Sequence, residues 1–228
     1  MIILPVVLIL AQINLAPNHR KACVSQLSCV GKLTRGEFMN MTFTGMLLAG
    51  VLAVGPTCSL AEQGHGGDRD ALQQQAICLV EQMVGRLKPA LKKALQEGGP
   101  EHAIAVCSVN APDIAASLSN SGWQVKRVSE KNRNPAAVPD EWETAVLEMF
   151  QTRLEEDSAP GALVFSEQTI SGFRFAKAQI TEGLCLNCHG TQLTPAVISR
   201  LNELYPNDRA TGYSIREIRG MFSLLYKP

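Results

Sequence analysis

The chain has no excess of charge of either sign: 21 Lys and Arg stand against 21 Asp and Glu. No basic run is interleaved with aromatics, so the footprint of a nucleic-acid binder is missing. No internal repeat occurs, which excludes a solenoid or propeller. No uncharged apolar run reaches the roughly 20 residues a membrane-spanning helix needs. Histidine is scarce, at four residues, and no His-x-x-x-His pair exists. A finger-type zinc site would therefore lack its second pair of ligands.

Seven cysteines are present. Two of them form Cys185-Leu186-Asn187-Cys188-His189, a Cys-x-x-Cys-His sequence. This is the pattern that attaches a c-type haem. Two thiols add across the two vinyl groups of the porphyrin, and the two-residue spacer lets both sulfurs reach one edge of the ring. His189 then lies under the iron and offers an imidazole nitrogen as fifth ligand. A thioredoxin-type redox pair would open a helix in a βαβ pattern and needs no trailing histidine. Here a strand-like run precedes the motif and Gly190 follows it. The expected cofactor is one covalent haem c.

The N-terminal part reads as targeting sequence. Met46 to Val54 is an apolar run of signal-peptide length, and Ser59-Leu60-Ala61 offers small residues for cleavage after Ala61. The signal peptide is placed at about residues 39–61, with Lys32 and Arg35 upstream as its positive flank. A second apolar run of about 16 residues at the start of the chain is too short to span. Tandem export signals make little physical sense, so residues 1–38 are read as a miscalled start. Loss of 1–61 removes four basic residues and one acid, leaving 17 against 20 in a domain of 62–228. Periplasmic export agrees with haem attachment outside the cytoplasm, where free thiols oxidise. No membrane span is expected in the mature form.

Along that domain, Asp70 to Glu97 reads as a helix, with Ile77, Val80, Val84, Leu87 and Leu91 repeating at three and four. Pro89 is expected to kink it. Gly98-Gly99 ends it, and Pro100 opens a second helix to about Leu118. There Ile104, Cys107, Ala111, Ile114 and Leu118 form the apolar stripe, aiming Cys107 inward. His102, five residues from Cys107, points to solvent. His65 sits alone in a Gly-rich lead-in and reads as solvated.

Trp123 to Ser129 alternates as a strand, with Trp123, Val125, Arg127 and Ser129 on one face. Asp140 caps a helix to about Glu156. Asp157 to Gly161 reads as a turn. Ala162–Ser166 and Ser171–Ile180 read as strands, Thr194-Pro195 starts a short helix through Leu204, and Gly220–Tyr226 closes the chain as a strand. Helices and hairpin-linked strands together give an α+β fold with a mostly antiparallel sheet. Arg127 and Arg133 have two readings: solvated charge, or guanidinium partners of haem propionates. Phe173 and Phe175 share a face that would serve as a haem-pocket wall or as plain core.

Four segments, 99–114 (GPEHAIAVCSVNAPDI), 127–142 (RVSEKNRNPAAVPDEW), 172–190 (GFRFAKAQITEGLCLNCHG) and 205–222 (YPNDRATGYSIREIRGMF), resemble a bacterial family of single-haem c-type proteins with a PAS-like fold. That family was long catalogued as a domain of unknown function. The resemblance implies a five-stranded antiparallel PAS-like sheet with flanking helices. It also implies Cys107 as second axial ligand of the iron, beside His189.

Read from the residues alone, Cys107 keeps four alternatives: iron ligand, inert buried thiol, disulfide partner of Cys78, or bystander to an open sixth site. A thiolate ligand favours ferric iron and lowers the potential. The expected function is a redox- or gas-responsive (NO or CO) haem module. The alternative is a low-potential periplasmic electron-transfer cytochrome with a redox partner protein. An enzyme is not expected, since two side-chain ligands close the iron and no distal acid–base pair is spaced for catalysis.

Overall fold

The computed structural model describes residues 66–156 and 163–228. The targeting region 1–61, His65 and the turn at 157–161 lie outside the described residues.

Helix α1 (Gly66–Leu118) covers both predicted helices. Gly98 and Gly99 break it into two arms, because Gly99 takes φ +70°, a left-handed value that favours glycine. Pro89 does not break the helix: only the two glycines are non-helical. Pro89 and Gly85, the residue whose carbonyl Pro89 leaves unbonded, are both exposed. That carbonyl is therefore open to solvent, which lets a proline be tolerated there.

Four antiparallel strands follow: β1 (Trp123–Val128), β2 (Val164–Thr169), β3 (Gly172–Ile180) and β4 (Ile218–Tyr226), in spatial order β1-β4-β3-β2. The described residues thus form four strands where the resemblance implied five. Residue 162, the expected first residue of this strand, lies outside the described residues; the strand runs from Val164 on to Thr169. Helix α2 (Glu141–Glu155) lies between β1 and β2, α3 (Leu186–His189) and α4 (Pro195–Leu204) between β3 and β4. A short 3-10 turn, Pro135–Ala137, occupies the loop after β1. The fold is α+β and PAS-like, as expected.

The sheet is covered on both faces. The period of two sends Trp123, Val125, Phe173, Phe175, Phe222 and Leu224 to one face, where they pack on Ala76, Val80 and Met83 of the first arm of α1. Val128, Ala176, Ala178 and Met221 face the other way, onto Val146, Leu147 and Phe150 of α2. Phe173 and Phe175 are 1% and 0% exposed. They are core under α1, the second of the two roles the sequence left open for them.

Helix α2 is fixed to its face by charge as well as by apolar packing. Asp140 caps it, accepting from the Glu143 N–H at 2.8 Å, and the Glu143 carboxylate accepts from the Asp140 N–H at 2.9 Å. Glu143 is fully buried, yet it takes an ion pair from Lys126 at 2.9 Å and another from Arg174 at 3.3 Å, and the Ser223 hydroxyl donates to it. Arg174 also pairs with Asp140 at 2.8 Å and lies over the Trp142 ring. A buried carboxylate is tolerable only with partners on this scale.

The second arm of α1 reaches the same sheet face as the first only at its C-terminal end, where Ile114, Ala115 and Leu118 join that cluster. Nearer its start, Ile104 packs on Val197 and Leu201 of α4, with Cys188 at the edge of that cluster. This arm therefore stands against the part of the chain that carries the Cys-x-x-Cys-His motif.

Candidate haem-binding site

The motif is wound into a tight helical corner. A 3-10 turn (Gly183–Cys185) runs into α3 (Leu186–His189), so Cys185, Cys188 and His189 sit within about one and a half turns. All three of Cys107, Cys185 and Cys188 are free thiols with partly exposed surface. That removes the disulfide reading of Cys107. Gly190 ends the corner: a Cβ there would meet the Leu186 carbonyl oxygen at 2.7 Å.

Two loops strap the corner down. In the loop before β4, the Ala210 carbonyl accepts from His189 Nδ1 at 2.6 Å. The Tyr213 N–H donates to the His189 carbonyl at 2.9 Å, and the Gly212 N–H to that of Gly190 at 3.0 Å. From the loop after β1, Arg133 donates to the Cys188 carbonyl at 2.6 Å and pairs with Asp208 at 3.0 Å. Two of the four segments that carry the resemblance thus strap down a third.

The bond to Ala210 decides the state of His189. A carbonyl only accepts, so Nδ1 carries the proton and Nε2 keeps its lone pair. Arg219 donates to that same Nε2 at 3.4 Å, which requires the same tautomer. Burial pushes the His189 pKa down to about 3, and the charge of Arg133 and then Arg127 pushes the same way against the Ala210 bond. A neutral imidazole with Nε2 available is the form that binds a metal, and a carbonyl partner on the other nitrogen is its usual support.

Cys107 shares this environment. Burial raises its pKa, while Arg127 and Arg133 oppose the rise. Burial likewise lifts Cys188 to about 11, with the charge of Arg133 opposing and those of Cys107, Glu101 and Cys185 adding to the rise. These mutual influences bring Cys107 on α1, the motif cysteines and both arginines into one neighbourhood. His102 is exposed and takes no part. Met149 and Met221 are in the α2-side core.

The two arginines differ. Arg133 is 14% exposed and already engaged by Asp208 and by backbone carbonyls. It holds the motif in place and has little capacity left for a propionate. Arg127 donates twice to the Gln179 amide oxygen, at 2.7 and 3.0 Å, and sits over Phe222. Among the described residues it has no carboxylate partner. Its pKa is lowered by burial, with Cys107 and Cys185 opposing. A sequestered cation held only by a neutral amide fits an anionic group of a ligand.

The donor set fits a c-type haem. Two free thiols stand at the required spacing, with a neutral histidine beside them whose orientation is fixed from behind. A thiol from another helix and a guanidinium without a counter-charge complete the set. It fits a bare metal ion poorly: no group of three or more His, Cys, Asp or Glu among the described residues is arranged to hold one. Sequence reasoning missed Ala210, Asp208 and Arg219. The first contributes only a backbone carbonyl, which any residue carries, so no sequence signal could mark it.

An α+β protein with a sheet covered on both faces, and a strapped Cys-x-x-Cys-His corner at its edge, is the class these features define. The chain belongs to the Tll0287-like family, whose model matches residues 62–226. The crystal structure of the cyanobacterial heme-protein Tll0287 shares the fold, with a TM-score of 0.53 and 22% identity over 71% of this chain and 96% of that one. Comparison with curated proteins gives no match. No helix among the described residues is long and apolar enough to cross a membrane.

Proposed function

We propose that this chain is an exported haem c protein, with one haem held covalently by Cys185 and Cys188 and its iron bound by His189 and Cys107. The observation that carries the reading is the fixed, neutral His189, whose Nδ1–H donates to Ala210 and whose Nε2 keeps its lone pair. It is supported by the likeness in fold to Tll0287, which is itself a heme-protein.

Bound there, haem supplies one-electron redox chemistry and a site for small gaseous ligands such as NO or CO. The protein's part is to hold and to release. His189 is locked by its strap and stays. Cys107 sits on a different helix, and burial favours its neutral thiol over its thiolate. Were Cys107 to hold the iron, a proton at its Sγ would turn a strong donor into a weak one, making it the weaker held of the two ligands. Loss of that ligand would act on the start of the second arm of α1, which packs on α4 through Ile104, and such a local change is what a sensor needs. The function is therefore redox or gas sensing in the periplasm, with the response passed to a partner protein. No enzymatic activity belongs to this reading.

The test is the optical and EPR spectrum of the ferric protein and of Cys107→Ala. A low-spin thiolate signature lost in the variant is expected; identical spectra would exclude Cys107 as a ligand. Reduction separates the two functions. Loss of the thiolate on reduction marks a sensor, whereas unchanged ligands with fast self-exchange mark a low-potential electron carrier.

A further inference from the structure

Strand β4 enters the sheet with one residue too many. Gln179 of β3 pairs with Gly220 and Ile180 with Ile218, so Arg219 has no partner in the ladder. Such a bulge turns a side chain out of the alternation its strand would impose. Several features hold this one. The Ser129 hydroxyl donates to the Arg219 carbonyl at 2.7 Å, and the Tyr213 hydroxyl reaches it at 3.4 Å. Gly220 takes φ +147° and passes so close to β1 that a Cβ would meet the Val128 carbonyl oxygen at 2.3 Å.

The re-aimed side chain goes to the haem site. Its guanidinium lies 3.4 Å from Nε2 of His189. No carboxylate among the described residues is within ion-pair distance of it. Arg219 is thus a partly buried cation, placed by a built backbone feature, and among the described residues its side-chain partner is a neutral ring. A cation in that position should meet an anion. The nitrogen beside it is the one that would bind iron, so the guanidinium must yield that direction. Its flexible stem keeps it within reach of the porphyrin edge, where the two propionates are the available anions.

Resting on the haem reading above, we infer that Arg219 is a positioning residue that binds a haem propionate carboxylate, with the bulge at Gln179–Ile180 as the device that delivers it. It joins Arg127, the other arginine of the site without a carboxylate. Arg133, spent on Asp208, does not share this role. An arginine on a propionate lowers the carboxyl pKa and favours the reduced iron by adding positive charge nearby.

The test uses the exported, haem-loaded protein with Arg219→Gln and Arg219→Lys, followed by redox titration against pH and by resonance Raman of the propionate bending mode. In Arg219→Gln the midpoint potential shifts negative, the pH-dependent step in potential moves to higher pH, and the propionate mode shifts. Arg219→Lys, which keeps the charge, shows smaller changes in the same direction. A lowered melting temperature with potential, pH step and Raman mode all unchanged would assign Arg219 a purely structural role and overturn the inference. Failure of the haem reading looks different: the parent protein itself then carries no covalent haem, and both proposals fall together.

Discussion

Single residues in this protein divide into those that hold the motif and those left over to meet a ligand. Arg133 is the clearest of the first kind, joining Asp208, the Cys188 carbonyl and the Ala210 carbonyl in one side chain. Asp208 is only 7% exposed, so removing Arg133 leaves a nearly buried carboxylate without its counter-charge. Arg133→Ala should cost about 3–5 kcal/mol in urea denaturation, the range for breaking a buried pair. Arg133→Lys should recover only part of that, because an ammonium cannot reproduce the fork that reaches three acceptors. A loss under about 1 kcal/mol, the scale of surface pairs, would contradict this role. The charge of Arg133 was legible in the sequence, but its engagement was not, because its partner lies 75 residues away.

Elements were legible where a local signal set them. Asp140 with Glu143 forms the capping box, Thr194 with Pro195 opens α4 as read, and Gly98-Gly99 divides α1. Where pairing across the sheet decided, the reading slipped: β2 is shifted toward Thr169, and strand order β1-β4-β3-β2 has no local signature. The Glu143 cluster also escaped, since a glutamate near a helix start reads as exposed. That cluster gives a pH prediction. Burial of Asp140 would raise its pKa, but the Arg174 hydrogen bond, the Glu143 N–H and the charges of Arg174 and Lys126 outweigh it and lower the value. A carboxyl lowered by folding contributes stability that is full above the unfolded pKa and is lost as pH falls through the folded one. Asp140→Asn keeps a capping oxygen but not the charge. Its melting temperature should therefore approach that of the parent protein as pH drops below about 4, the ordinary carboxyl range. A gap that stays constant from neutral pH to about pH 3 would contradict it.

At the scale of the whole molecule the sheet separates two tasks. The first arm of α1, the C-terminal end of its second arm and α2 cover its faces and make the fold; the start of the second arm, α3, α4 and the two straps gather at the site. Phe175 belongs to the first task, being fully buried between α1 and the sheet. Phe175→Ala should lower stability by about 3–5 kcal/mol and leave the ferric spectrum of the folded protein unchanged. A changed spectrum at intact fold would restore the haem-wall reading of that residue.

The central claim is that Cys185 and Cys188 carry a porphyrin whose iron His189 binds, and the most direct measurement is intact mass on exported protein made with a haem-attachment system. The account predicts a mass above the polypeptide by one haem that survives denaturation, and loss of that increment in the double variant Cys185→Ala/Cys188→Ala. Colourless parent protein at the bare polypeptide mass would contradict it.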